Sequence, residues 1–347
     1  MQYLNHPTAP QTSKLLRTSL SPLISFSLLF AAKIFFQLTD APPSLCFVSI
    51  IQLQSFPMIR LALFADIHGK FLLPFKLAHH YQQATGQPID LIVQCGDMGA
   101  FPDKGRMDKA TLRHAARDRD ELGFMDDFVH AKLPITQFLE RLNLNMLCVR
   151  GNHEDHEFLD ELERQSVQAA FPIDVYQRVW VLKTGEPFVL QKDGESLEIL
   201  GIGRIGDRKQ RPHGEFIQEY ERQTLRRFVK DCLKNKHDPD VLITHDQPAD
   251  SQSGYGAEEI ADVLDQLAFA YHFYGHTGEA YRQNLADNGI TRSVKIKELE
   301  FDRQGKLSEG CMLILEVEQQ EGDKLFTLSP VPLNEIIHFM RDTWRYC

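Results

Sequence analysis

The chain has 347 residues, enough for one large or two modest domains and for a sizeable core. Hydrophobic residues at 43% and charged residues at 25% exclude a disordered chain and are ordinary for a globular one. The formal net charge of -10 excludes general adhesion to nucleic acid or to anionic membranes.

The first 57 residues differ from the rest. Met1 to Thr39 hold no acidic residue, and Leu20 to Phe36 is largely apolar but broken by Pro22 and Lys33. Three readings stand side by side. A signal or anchor segment is one, against a poor cleavage site at Ala31-Ala32 and the lack of a clean run of about 20 apolar residues. A transit peptide fits the missing acids, although arginines are few. Translation beginning at Met58 is the third, because Met58-Ile59-Arg60 opens directly onto the first core strand. The expected division is a non-globular extension over 1–57 and one catalytic domain over 58–347.

From Met58 onward strands and helices alternate. Residues 59–65 read as a strand, 71–84 as a helix and 89–95 as a second strand. Residues 101–133 form a charged insertion containing Lys104, Arg106, Lys109, Arg113, Arg117 and Arg119 among several acids. It reads either as a solvated helical face or as a lid whose cations meet substrate phosphates. Residues 154–165 have helical spacing, and 175–202 give short strands with turns at Thr184-Gly185 and Asp193-Gly194. Gly201, Gly203 and Gly206 spell G-x-G-x-x-G, but no helix opens there, so the motif reads as a turn. Helices are expected over 215–233 and 258–267, strands near 290–301 and 311–317, and a terminal helix around 333–345. Cys46, Cys95, Cys148, Cys232, Cys311 and Cys347 form no C-x-x-C pair, so a reducing compartment, the cytoplasm, is expected.

Five short segments carry the chemistry: Asp66-Ile67-His68-Gly69, Gly96-Asp97, Gly151-Asn152-His153-Glu154, Thr244-His245-Asp246 and Gly275-His276-Thr277. Each follows an apolar, strand-like run, and ligands at the carboxyl ends of strands converge on one crevice in an α/β sheet. Taken alone, each is turn chemistry or a strand-end histidine satisfied by backbone. Taken in order, they form a set of mixed oxygen and imidazole donors suited to Mn, Fe or Zn. His272 is a lesser candidate ligand for which core packing is the simpler account, and Arg150 stands where it could reach a phosphate.

This order of motifs resembles the calcineurin-like metallophosphoesterase family, whose pattern is D-x-H, G-D, G-N-H-D/E, a lone His, then G-H-x-H. The resemblance runs from about Met58 to at least His276. It implies an α/β sandwich of two mixed β-sheets flanked by helices, and a phosphoesterase using two divalent metal ions. By that likeness Asp66, His68 and Asp97 hold one metal, and Asp97, Asn152, His245 and His276 hold the other. A hydroxide held between the metals is the implied nucleophile, and His153 the implied general acid, with Glu154 or Asp246 orienting a histidine. Cys95-Gly96-Asp97 before a long insertion, His245-Asp246-Gln247-Pro248 and the acidic helix after Glu154 are similar to the RNA lariat-debranching branch, although that branch often carries Cys where Asp66 stands.

The chain departs from the pattern at one point. Where G-H-x-H ends in histidine, this sequence has Gly278, so the first metal keeps three protein ligands, its fourth position open to water or to Glu279. The expected function is hydrolysis of phosphate esters, favouring phosphodiesters, with a nucleotide or RNA component in the substrate and no membrane partner required. A phosphomonoesterase, or a metal-degenerate scaffold of the same fold, are the alternatives.

Overall fold

Residues 58–64 read Met-Ile-Arg-Leu-Ala-Leu-Phe, and the strand they form, β1 (Met58–Phe64), is buried on both faces. Ile59, Leu61 and Leu63 point to one core and Ala62 and Phe64 to another, as the two-residue period of a strand requires. The computed structural model describes residues 58–347 apart from 210, 212, 251–254 and 321. The expected extension over 1–57 lies outside the described residues.

The chain continues through α1 (Leu72–Thr85), β2 (Leu91–Cys95), α2 (Lys109–Ala115), α3 (Gly123–Asp127), α4 (Leu133–Leu142) and β3 (Met146–Val149). Next come α5 (His156–Gln165), β4 (Ala170–Pro172), β5 (Val179–Leu182), β6 (Phe188–Lys192), β7 (Glu195–Ile202) and α6 (Glu219–Asn235). The last are β8 (Val241–Thr244), α7 (Glu258–Gln266), β9 (Tyr271–Tyr274), β10 (Arg282–Leu285), β11 (Arg292–Lys295), β12 (Leu313–Gln320) and β13 (Asp323–Pro330).

Two mixed sheets result, ordered β13-β12-β1-β2-β3-β5-β4 and β10-β11-β9-β8-β7-β6. Their central strands run parallel and several peripheral pairs antiparallel. Leu61, Val93 and Leu147 meet Ile199, Ile243 and Phe273 in the core between the sheets. A second core lies under α1, α4 and α5, and a third under α6 and α7. The architecture is therefore helices, sheet, sheet, helices. Burial on both faces explains why the parallel strands are continuous apolar runs.

The terminal helix expected over 333–345 does not form; that segment is a series of turns ending in a short 3-10 turn, Trp344–Tyr346. Tertiary contacts override the local spacing. Ile336, Phe339 and Trp344 are buried in the core, and the Trp344 indole donates to Asp120 (2.8 Å). The Thr343 hydroxyl donates to the carbonyl of His338 (2.8 Å), competing with a helical ladder.

Arg204, fully buried, ties the two helical layers together. It donates to Glu221 of α6 (3.1 Å) and to Asp160 of α5 (2.8 Å), while Arg150 donates to Asp160 (2.6 Å) and Glu163. Arg204→Ala leaves the buried Glu221 without its cation, which costs about 3–5 kcal/mol. The urea midpoint should fall by the corresponding amount; a shift below about 1 kcal/mol would contradict this account.

Candidate metal centre

Each sequence-derived donor lies just past a parallel strand: Asp66 and His68 after β1, Asp97 after β2, Asn152 and His153 after β3, His245 after β8 and His276 after β9. Backbone hydrogen bonds fasten these loops together within and across the sheets. Asp66 N donates to Gly96 O (3.1 Å), His68 N to Asp97 O (3.0 Å) and Gly275 N to His245 O (3.1 Å). Across the sheets, His245 Nδ1 donates to Cys95 O (3.0 Å), and His276 N donates to Asp66 Oδ1 (3.0 Å). Asp66, His68, Asp97 and His276 all have positive φ, between 39° and 67°. Such conformations are rare for non-glycine residues and cluster at functional sites.

Among the described residues His68, Glu121 and Glu300 form one set of donor atoms within 4.8 Å, and two more such sets lie deeper, Asp66 with His68 and Asp97, and Asp97 with His245 and His276. Asp97 belongs to both of the deeper sets. Its Oδ1 lies 3.3 Å from His245 Nε2 and its Oδ2 lies 4.0 Å from His68 Nε2. Oδ1 also accepts the backbone N–H groups of Asn152 and His153, both at 2.8 Å. Asn152 Oδ1 stands 3.0 Å from His245 Nε2. Because the Cys95 carbonyl can only accept, His245 carries its proton on Nδ1. Nε2 and the Asn152 oxygen are then two acceptors facing one another, which fits a cation between them.

The electrostatics agree with cation binding. Burial, then the neighbouring charge of Asp97, pushes the Asp66 carboxyl well above its ordinary range. Burial also works against ionisation of Asp97, but the imidazoles of His245, His68 and His153 outweigh it and hold that carboxyl low. Burial lowers His245 to about 4, so it is a neutral imidazole, the form that ligates metals. Buried carboxylates this close are costly unless paired, and two divalent cations would pair them.

The expected orienting acids do something else. Glu154 accepts the backbone N–H groups of Met98 (2.8 Å), Ala100 (2.9 Å) and Gly151 (3.2 Å), locking the loops after β2 and β3 together. Asp246 accepts those of Gly206 (3.0 Å) and Gln247 (2.8 Å). The partner of His153 is Asp108, in the insertion, with Oδ2 3.2 Å from Nδ1. This hydrogen bond is the main reason His153 is raised to about 9. Asp108 also accepts from Thr111 N (3.0 Å) and Thr111 Oγ1 (2.6 Å) at the start of α2, so its position is fixed. The D-x-x-T spacing announces a helix cap and carries no sign of the histidine.

Other expectations resolve plainly. Arg150 is buried, with its guanidinium engaged by Asp160 and Glu163. His272 is buried between Thr244 Oγ1 (2.8 Å) and Ser293 Oγ (3.1 Å), outside these donor sets. Glu279 turns to Arg282 (2.9 Å) rather than to His68 or Asp66. In the insertion, Arg106 pairs with Asp155 and Glu157, and Arg119 with Asp126 (3.0 Å). No helix opens at Gly201-x-Gly203-x-x-Gly206; α6 begins at Glu219. Among the described residues no helix is long and apolar enough to cross a membrane.

Residues 59–280 match the calcineurin-like phosphoesterase family. No curated protein sequence matches the chain. Similar solved structures include TT1561 of Thermus thermophilus, at 13% identity and TM-score 0.45, covering 80% of this chain and 100% of that one. A phosphatase from Mycoplasma pneumoniae aligns at 12% identity and TM-score 0.42, over 80% and 94% of the two chains. Vps29 from Cryptosporidium parvum aligns at 12% and 0.29, over 80% and 99%. None of the three structures carries the assignment, which rests on the family match.

Gly151 packs so closely that a Cβ there would collide with the backbone N and Oδ1 of Asp97. Gly151→Ala should therefore displace the shared carboxylate and weaken Mn²⁺ binding by about 10–100-fold, the scale seen when groups supporting a metal ligand are disturbed. Titration calorimetry checks this, with far-UV circular dichroism confirming the fold. Unchanged affinity would show that Asp97 is not a ligand.

Proposed function

We propose that this chain, which belongs to the calcineurin-like phosphoesterase family of metal-dependent hydrolases of phosphoric esters, cleaves phosphodiesters at a dinuclear centre of divalent cations, Mn²⁺ foremost. The observation that carries the reading is Asp97, whose two carboxylate oxygens face different donor sets. Asp66, His68 and Asp97 would hold one cation, and Asp97, Asn152, His245 and His276 the other. When bound, such cations supply positive charge to the phosphate oxygens and acidify a water.

The side chains supply proton transfer and orientation. The Asp108 carboxylate accepts a hydrogen bond from His153 Nδ1–H (3.2 Å), which orients the ring so that its Nε2–H would protonate the departing alkoxide. The His153 ring lies 5.8 Å from that of His68, beside the donor sets and outside them. A cation-bearing site with a separate, carboxylate-oriented acid suits an ester with a poor leaving group.

The preference for diesters rests on the space beside His276. A cleft of about 920 Å³ opens there, lined by Arg208, Lys209, Arg211, Tyr255 and Arg282 and by the carboxylates of Asp207, Asp246, Asp250 and Glu279, of which Asp207 pairs with Arg211 and Glu279 with Arg282. It is at the upper end of the range for small-molecule sites and large enough for a substituent on each side of the phosphate. Exposed Arg208 and Lys209 would attract an anionic substrate, and the Tyr255 ring would offer a face to a nucleobase. These features, with the lariat-like motifs, favour a nucleotide or RNA diester over a small monoester.

Hydrolysis of a chromogenic phosphodiester should exceed that of the matching monoester and disappear on chelation. Faster monoester turnover would make the chain a phosphomonoesterase. His153→Ala should lower diester turnover by about 10²–10⁴-fold while leaving Mn²⁺ content intact.

The Asp108 carboxylate favours the acid form of His153, so kcat/KM should fall along an alkaline limb as that proton is lost. Asp108→Asn removes the main cause of the elevation and should move the limb toward the ordinary histidine value of about 6.5. A limb that stays in place in Asp108→Asn would contradict the assigned pairing.

A further inference from the structure

We infer that His68, Glu121 and Glu300 form an outer station for a divalent cation, from which His68 passes the ion inward to Asp66 and Asp97. The inference rests on the dinuclear reading above and adds a loading route to it.

Donor atoms of these three residues lie within 4.8 Å of one another. His68 Nε2 and Glu300 Oε1 are 3.9 Å apart. Two donors bound to one cation through bonds of about 2.0–2.2 Å can be separated by at most about 4.2 Å, so this pair falls within the span of a single ion. The same nitrogen lies 4.0 Å from Asp97 Oδ2. Glu300 shares no donor set with Asp66 or Asp97, so the outer and inner positions are distinct and meet at the imidazole. One nitrogen holds one cation at a time, which makes the two positions alternatives for the same ion.

The donors grade from water to core. The Glu300 side chain is 45% exposed and that of His68 21%, whereas Glu121, Asp66 and Asp97 are buried. An ion arriving from solvent meets Glu300 first. A charge leaving water is costly unless it is paired at each step, and Glu121 is placed to pair it. That residue is only 5% exposed, yet among the described residues no hydrogen bond or ion pair engages its carboxylate. The buried ammonium of Lys70 approaches Asp118 instead (3.9 Å). A buried carboxylate without a partner, in reach of an imidazole and a second carboxylate, is suited to a cation such as Mn²⁺.

The fold holds both acids in place. Leu299 N donates to Ala65 O (2.9 Å), which brings Glu300 alongside the loop of Asp66 and His68. Glu121 belongs to the insertion, which packs directly on that loop. A Cβ at Gly69 would collide with the carbonyls of Asp120 and Glu121, and one at Gly123 with the carbonyl of Gly69. Trp344 Nε1 (2.8 Å) and Arg345 Nε (3.0 Å) both donate to the adjacent Asp120. Other acids nearby are engaged elsewhere, Glu298 by Lys297 (2.8 Å) and Glu279 by Arg282 (2.9 Å).

Mn²⁺ uptake by the metal-stripped full chain tests the inference, followed after rapid mixing by loss of the free-ion electron paramagnetic resonance signal. Release into excess chelator is measured alongside. A station on the path lowers the barrier in both directions. Glu300→Gln and Glu121→Gln should therefore slow uptake and release of one ion equally, by about ten-fold, the lower end of what a charge-lined path adds to a rate. The number of ions bound and their affinities should match wild type. Unchanged rates in both variants would overturn the inference and leave the dinuclear reading standing. Weaker binding without slower release would also overturn it, because the carboxylates would then act on the resident ion or through their general field. A wild type that binds fewer than two ions would show the dinuclear reading itself to be wrong, and the inference would fall with it. Circular dichroism of each variant separates a lost route from a lost fold.

Discussion

Asp66 and Asp97 are buried carboxylates at the ends of adjacent parallel strands, and the charge of Asp97 adds to burial in opposing ionisation of Asp66, a cost that a cation beside them would relieve. Much of the surrounding structure serves to hold them there. Imidazoles from both sheets approach them, Asn152 and His153 donate backbone N–H groups to Asp97, and His276 donates its own to Asp66. Positive φ at Asp66, His68, Asp97 and His276 indicates that local backbone preference is overridden at this edge. The strain is sustained by the packed core between the sheets, which fixes where each strand ends.

The two sheets contribute unequally to the centre. The first carries Asp66, His68, Asp97, Asn152 and His153; the second carries His245 and His276. The His245–Cys95 hydrogen bond crosses between them and also sets the tautomer that turns Nε2 toward Asp97. Glycine is required where the loops meet: a Cβ at Gly96 would run into the His245 ring, and one at Gly275 into the Asp66 carboxylate. The insertion is docked rather than loose. Trp344 and Arg345 both donate to its Asp120, and from this anchored element Asp108 reaches His153.

What could be read in the sequence follows from burial. The parallel strands bear buried faces on both sides and therefore appear as apolar runs, so β1, β2, β3, β8 and β9 and the donors after them were legible. The edge strands β10 and β13 were not. All four residues of β10 are exposed, and β13 alternates between half-buried and exposed positions, so neither shows a strong apolar period. Asp108 was hidden differently. It stands 45 residues before His153 in a mixed-charge stretch, and nothing local distinguishes a carboxylate that caps a helix from one that also orients an imidazole. Arg150 was misleading because a strand-end arginine looks solvent-facing until α5 is seen to bring Asp160 and Glu163 over it.

The central claim is that Asp97 bridges two cations. Anomalous diffraction from crystals grown with Mn²⁺ tests it most directly. The account predicts two anomalous peaks, roughly 3.5–4 Å apart, with one Asp97 oxygen directed at each. A single peak, or two peaks of which only one touches Asp97, would contradict it.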